Sequence, residues 1–293
     1  MIIGTHHGKF HADEVLAVAI LRQLEPDASI VRSRDPETLS TCDIVVDVNR
    51  SPYDHHTTDK QYRTNGIPFA SAGLVWRDFG VSVITAMGAD EATGITLRDL
   101  IDEKVIQAID AIDNGVDLER DARIKGISEV IGTFNPPWNS DGDENEAFER
   151  AVRFASEILQ NYIRSEWSRL EAIDVVKSAF ERRPRPELLV LERFCPWTET
   201  LLEIDTSQQV LYVVFPDKTG QYRLQVVPKN PGTFVARKPL PARWAGLDGP
   251  EFAAASGTPD GIFCHPARFI AGAGSLQGIL QLAEQAIQEP VEN

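Results

Sequence analysis

The sequence has no long hydrophobic run. Its longest, VLAVAIL at residues 15–21, is seven residues, whereas a membrane span needs ~20, so no membrane is expected as a partner. Cysteine is scarce. Cys42, Cys195 and Cys264 are widely scattered and form no C-x-x-C pair, which argues against a disulfide framework and fits a reducing, cytoplasmic compartment. No basic n-region or transit segment precedes the opening MIIGTHH, so no export is implied. Basic charge is in deficit: 29 Lys and Arg against 44 Asp and Glu give a net charge of −15. That opposes coating of nucleic acid by bulk electrostatics, but not an enzyme that takes a phosphate chain through metal ions and a local basic patch. G-x-S-x-G, a Walker loop and G-x-G-x-x-G are all missing, so neither a serine triad nor nucleotide-cofactor chemistry is favoured.

Histidine is rare too, and unevenly placed. Five of the six, His6, His7, His11, His55 and His56, fall in THHGKFHADE and DHH. The patterning predicts where these stretches sit. MIIGTH reads as a buried strand, ADEVLAVAILRQL as a helix with Pro26 just beyond, and SIVRSR and CDIVVDV as further strands. CDIVVDV is a near-continuous apolar run of the kind found in central parallel strands. SAGLVWRDFG predicts a helix started by Ser71 and stopped by Gly80, and LRDLIDEKVIQAIDAIDNG a long helical segment closed by Gly115. This alternation predicts a doubly wound parallel-sheet α/β domain. A helical pattern free of Gly and Pro runs from Glu144 to about Arg182, where RRPRPE stops it. The boundary is placed there, giving residues 1–183 as the first domain with its connecting helices and 187–293 as the second. LYVVF, YRLQVVP and GIFCH are short strands and SLQGILQLAEQAI a closing helix, a smaller α+β domain.

Functional groups of open α/β sheets gather at the carboxyl ends of strands. The first strand ends at His6 and His7, CDIVVDV ends near Asp47, and the loop beyond carries Asp54, His55 and His56. His11 and Asp13 begin the first helix, and Asp110 and Asp113 lie i, i+3 on one face of a later one. So many carboxylates beside imidazoles raise each other's pKa unless a cation joins them. Mixed nitrogen and oxygen ligands without thiolate favour Mn²⁺, with Mg²⁺, Co²⁺, Fe²⁺ or Zn²⁺ as alternatives. Four or more carboxylates predict two divalent ions, one carboxylate shared, able to clamp a phosphoester and generate hydroxide. Singly, each residue has a plainer reading: Asp13 as a helix cap, Asp110 as a solvated helix-face charge.

Taken in order, GTHHGKFHADEVLA, VVDV, YDHH, SAGLVW, AIDAIDNG, VVPKNPGTFVARKPLPARWAGL and GIFCHPARFI resemble the MYG (melanocyte proliferating gene) family of the DHH phosphoesterase superfamily, over nearly the whole chain. The resemblance implies an N-terminal DHH domain, a C-terminal domain that receives substrate, and Mn²⁺-assisted hydrolysis, in one branch as a 3′–5′ RNA exonuclease. It implies His6, His11, Asp13, Asp47, His55 and Asp113 as metal ligands, with Asp47 bridging. Asp54 then orients His55, His56 and His7 stand nearer the reacting groups, and Asp110 has a supporting role. Asn49 stands where the family usually has glycine, and Ala267-Arg268 where a small Ser-Gly pair is common.

From Lys218 to Leu247 there are six basic residues and no acidic one, with Tyr222, Phe234 and Trp244 among them. This predicts a phosphate-backbone contact, with Lys229, Arg237, Arg243, His265 and Arg268 as candidates; the plainer reading is a solvated face with Trp244 in the core. Single-stranded RNA or DNA, or a nucleotide, is the expected partner, and a homodimer is left open. Three functions compete: an exonuclease, a small-molecule phosphatase or phosphodiesterase, and a binding protein with a structural metal, the last weakened by more ligands than one closed site uses.

Overall fold

The computed structural model describes residues 1–56, 59–116, 126–231, 233 and 235–290. The chain forms two compact units, Met1–Trp167 and Ser168–Asn293. The division falls inside a helix, while the RRPRPE turn ends that helix.

In the first unit, β1 (Ile2–Thr5) lies between β2 (Ser29–Arg32) and β3 (Ile44–Val45), all parallel, with Ile3 opposite Ile30 on one side and Gly4 opposite Val45 on the other. The CDIVVDV run is therefore at the sheet edge, not its centre; β1 is the central strand. Gly4 has a packing reason: a Cβ there would meet Cys42 Sγ at 2.9 Å.

Helix α1 (Ala12–Leu24) is buried from Ala12 through Leu21 without interruption. Ten consecutive buried residues mean the helix is enclosed on all sides, so Asp13 and Glu14 are carried into the interior with it. A short α2 (Pro36–Leu39), capped by Asp35, precedes β3. Helix α3 runs Ser71–Ala86, six residues past the expected stop. Gly80 does not end it. A Cβ at Gly80 would meet the Trp76 ring at 2.9 Å and Arg98 Cγ at 3.0 Å, so that glycine admits close packing instead. Ala70, not Ser71, is the N-cap. Helix α4 (Glu91–Ile101) passes through a π-helical turn, Asp102–Ile106, into α5 (Gln107–Asp113), and Gly115 follows with a left-handed φ of 69°. Helix α6 is Ile127–Gly132, and α7 is a 38-residue helix, Glu144–Glu181.

The second unit is built on a five-stranded sheet ordered β4 (Leu188–Val190), β5 (Tyr212–Pro216), β6 (Tyr222–Val226), β8 (Ile270–Ala273), β7 (Gly261–Cys264). β4 and β5 are parallel and the remaining pairs antiparallel. Period-two alternation splits β5: Tyr212 and Val214 join one core with Trp244, Phe252 and Leu282, while Val213 and Phe215 join another with Val176, Trp197 and Leu201. Helices α8 (Thr198–Ile204), α9 (Gly249–Ser256) and α10 (Leu276–Gln288) complete the unit. Cys42, Cys195 and Cys264 are all free. Among the described residues no helix is long and apolar enough to cross a membrane.

Candidate metal centre

Three groups of ligating side chains meet at the carboxyl end of the parallel sheet: His6, His11 and Glu14; Asp47, His55 and His56; and Asp13, His55 and Asp113. In each, the ligand atoms lie within 4.8 Å of one another. The Asp47 carboxylate stands between them. Its Oδ2 is 3.4 Å from His6 Nε2, and its Oδ1 is 3.2 Å from His55 Nε2 and 3.3 Å from His56 Nδ1. His6 Nε2 is also 2.8 Å from Glu14, and His55 Nε2 is 3.0 Å from Asp113 and 3.8 Å from Asp13.

Local backbone explains how these groups are aimed. Asp47, Asn49 and Arg50 have φ of 58°, 63° and 52°. Left-handed conformations in non-glycine residues cost ~1–2 kcal/mol each, and asparagine tolerates them better than most. Asn49 therefore does what a glycine does at that position. Asp54 ties the loop together by accepting from the Arg50 N–H at 2.7 Å and the His56 N–H at 3.0 Å. Asp54 also lies 3.0 Å from His56 Nδ1. The imidazole it orients is thus His56, not His55; the His55 ring has Asn114 Oδ1 at 3.4 Å from its Nδ1.

The N-terminus of α3 holds two of the buried carboxylates. Ser71 and Ala72 donate their N–H groups to Asp13 at 2.9 and 2.6 Å, Gly73 donates to Asp110 at 3.0 Å, and the Ser71 hydroxyl is 3.3 Å from Asp47. These N–H groups have no partner within the helix, and the helix dipole adds positive potential. A Cβ on Gly73 would lie 1.9 Å from Asp110 Oδ2, so only glycine lets Asp110 in. Arg63 then pairs with Asp110 at 2.8 Å and with Asp102 at 2.6 Å. The plain readings change: Asp13 and Asp110 are both fully buried, so Asp110 does not face solvent, and Asp13 caps not its own helix, whose N-cap is His11, but the N-terminus of α3.

Charge remains out of balance. Burial, reinforced by Asp47, Asp113 and Asp110, pushes Asp13 well above the usual carboxylate range. Burial raises Asp110 to about 6 against the pull of Arg63. Burial would raise Asp47, but His55, His56 and His6 hold it well below its ordinary value. Burial acts to lower His6 and His55, yet the carboxylates of Asp47 and Glu14 raise His6 to about 10, and those of Asp113 and Asp47 raise His55 to about 11. The protein alone keeps protons on imidazoles to offset its carboxylates.

A divalent cation fits this donor set. Glu14 Oε2 and His55 Nε2 are buried without a hydrogen-bond partner, His55 despite three carboxylates nearby, so both are oriented as ligands are. His6 Nδ1 is 3.2 Å from the His7 carbonyl, which favours the tautomer with a lone pair on Nε2, facing Glu14 and Asp47.

Of the residues singled out in the sequence, His6, His11, Asp13, Asp47, Asp54, His55, His56 and Asp113 come together. His7 does not: it is exposed, and only its carbonyl reaches His6. Glu14 was missed. The signal was there, since Glu14 is three residues after His11, the N3 position of the helix that His11 caps; its carboxylate accepts the His11 N–H at 3.0 Å.

The second-unit candidates fare differently. The Arg237 side chain is buried and ion-paired with Asp205, and its Nη1 donates to the Val210 carbonyl at 2.9 Å, while its Nε is buried without a hydrogen-bond partner. Arg243 pairs with Glu289, Arg223 with Asp217, and Lys238 donates to the carbonyls of Ile287 and Glu289. Trp244 is fully buried. Lys229 is exposed beside a cavity of about 560 Å³ that Arg237 and Asp205 also line. His265 is exposed, its ring 4.5 Å from that of Phe269. Arg268 has a left-handed φ of 57° and reaches towards the Leu240 carbonyl at 3.5 Å.

The family described as Uncharacterised protein family (UPF0160), the MYG1 exonuclease family, matches residues 2–287. The chain belongs to this family. It is 36% identical to the MYG1 exonuclease of Homo sapiens over 322 residues, covering 98% of this chain and 86% of the human protein. It is 35% identical to a MYG1 protein of Saccharomyces cerevisiae, covering 97% of this chain and 95% of the yeast one. Membership makes the chain an enzyme, a metal-dependent hydrolase. Among solved structures, the pGpG-specific phosphodiesterase PggH from Vibrio cholerae aligns over 98% of this chain and 97% of its own at 11% identity, with a TM-score of 0.32, too loose a superposition to add to the assignment.

Proposed function

We propose that the chain is a Mn²⁺-dependent 3′–5′ exonuclease acting on short single-stranded RNA or DNA. One observation carries the reading: the two oxygens of Asp47 face two different ligand sets, His6 with Glu14 on one side and His55 with His56 on the other. A single carboxylate so placed suits two ions sharing a ligand. His6, His11 and Glu14 would hold one ion, and Asp13, His55 and Asp113 the other. Bound divalent ions supply Lewis-acid charge at a phosphoester and lower the pKa of bound water.

The chain's own residues do the rest. The N–H groups of Ser71 and Ala72 fix Asp13. Asn114 and Asp54 fix the His55 and His56 rings. His56, its side chain 63% exposed and its pKa raised chiefly by Asp47, is the one imidazole of the pair that can meet substrate, and it is suited to give a proton to a leaving oxygen. The human relative's name, exonuclease, supports a chain-end substrate. Product ladders from 5′-labelled and 3′-labelled RNA and DNA oligomers with Mn²⁺ test the assignment: one-nucleotide steps from the 3′ end are expected, and a failure to shorten any strand while a small phosphodiester is hydrolysed would remove it.

A second reading has its own support. The cations of residues 218–247 are largely consumed inside the second unit, which weakens the case for a long backbone contact there. A phosphodiesterase for a dinucleotide or similar small molecule would not need one. The same ladders, with a dinucleotide included, separate the two readings.

A further inference from the structure

His6, His11, Asp13, Asp47 and Asp113 line a cavity of about 1070 Å³ within the first unit. Pockets for drug-sized ligands run to ~1,000 Å³, so this one has room for more than a single phosphate. Three cations stand on its wall: Lys9, Arg34 and Arg50. All three are exposed, and among the described residues none is ion-paired with a carboxylate. This sets them apart from Arg63, Arg223, Arg237 and Arg243, each of which has an acidic partner. In a chain of net charge −15, with this cavity also bordered by Asp13, Asp47, Asp54 and Asp113, three unpaired cations at the mouth are the groups able to draw an anion inward.

Arg50 shows the most specific placement. Its backbone is left-handed, its N–H is bound by Asp54, and Asp54 also binds His56. The loop that aims Asp47 and His56 therefore fixes where the Arg50 side chain starts, while leaving its guanidinium unpaired. Lys9 follows His7 and Gly8 on the loop after β1, and Arg34 follows β2. The cations thus arise from the loops after all three parallel strands, on the same sheet end as the metal ligands.

We propose that Lys9, Arg34 and Arg50 hold the phosphates that neighbour the scissile one, so that the first unit by itself binds an oligonucleotide end. The inference rests on the phosphodiester-hydrolase reading above and deepens it by naming the residues that select a chain over a minimal ester. Guanidinium groups suit this, since their fork matches phosphate oxygens two at a time.

The test has two arms. In the full-length protein carrying Asp47→Asn to prevent cleavage, binding of a fluorescent single-stranded hexanucleotide is followed by anisotropy across a salt series, alone and with Lys9→Ala, Arg34→Ala or Arg50→Ala added. Each lost contact should flatten the slope of log affinity against log salt by about 0.7, and charge-retaining Arg34→Lys and Arg50→Lys should keep it. In the active protein, the ratio of kcat/KM for the oligonucleotide to that for a small chromogenic diester should fall roughly tenfold with Arg34→Ala and Arg50→Ala combined, the scale of one or more charge-assisted contacts. Unchanged slopes, or an equal loss on both substrates, would overturn the inference while leaving the hydrolase reading intact. If the unaltered protein cleaves neither substrate with any divalent ion, the reading beneath it fails instead.

Discussion

The two units treat charge in opposite ways. In the first, Asp13, Glu14, Asp47 and Asp110 are buried together, and the protein offsets them only in part, with helix N–H groups, Arg63 and protonated histidines. In the second, Arg237, Arg223 and Arg243 each meet a carboxylate, and Lys238 sits against the last carbonyls of α10, where the helix dipole favours a cation. A fold that leaves charge unbalanced at one place and satisfied elsewhere marks the unbalanced place as the working one. The comparison can be broken by removing one charge from each side.

Asp47→Asn should have the largest effect. The amide is isosteric but uncharged, and the two ligand sets lose the oxygen pair between them. Turnover should fall by roughly 10³-fold or more, the scale of losing a group that stabilises the transition state, with circular dichroism unchanged and bound metal reduced by elemental analysis. Near-normal activity in the folded variant would remove Asp47 from the centre of the mechanism.

Arg237→Ala is the counterpart. It strands the buried Asp205 carboxylate, and breaking such a pair by removing one partner costs ~3–5 kcal/mol. A drop of that size in denaturant unfolding, with bound metal unchanged, is expected. A marginal change in stability with a large rise in oligonucleotide KM would instead restore Arg237 to substrate binding.

These two positions also show what sequence can and cannot reveal. His6, His11, Asp13 and Asp47 were legible because strand ends and the helix start that follows them converge by topology, so closeness in sequence pattern carries over to space. Glu14 escaped because a carboxylate in the first turn of a helix is ordinarily a solvated complement to the dipole; only the enclosure of α1 brings it against His6 and His11. The acid-free stretch 218–247 misled because the partners come from outside it: Asp205 from the end of α8, Glu289 from the end of α10 and Asp217 from the residue just before it. A window free of acid is not a surface free of acid. The Gly80 stop failed for a similar reason, since the ring of Trp76 and the side chain of Arg98 decide its role and neither is visible in a propensity.

The charge imbalance has a pH signature. In the metal-free protein His6 titrates near 10 and His55 near 11, both raised from 6.5. Their contribution to stability is complete below about 6.5 and is lost as pH rises through those values, because the folded state keeps protons the unfolded chain gives up. Metal binding requires the neutral imidazoles, so it displaces those protons and gains as pH rises. The stabilisation by Mn²⁺ should therefore widen between pH 6.5 and 8.5, by up to about 1.4 kcal/mol per pH unit for each histidine displaced. Thermal unfolding with and without saturating Mn²⁺ measures it, and a metal-induced shift that is flat in pH would mean that the ions do not bind through His6 and His55.

The smallest effect discriminates two adjacent histidines. His6 is buried, with Nε2 facing Glu14 and Asp47, while His7 is exposed and offers only its carbonyl to the His6 ring. Replacing a side chain leaves a carbonyl in place, so His7→Ala preserves that contact and the His6 tautomer it favours. His6→Ala should lower the metal stoichiometry and abolish turnover. His7→Ala should leave the stoichiometry intact and change turnover within about threefold, the scale of a surface substitution. Loss of metal in His7→Ala with retention in His6→Ala would instead shift the ligand register by one residue and unseat His6 from the cluster.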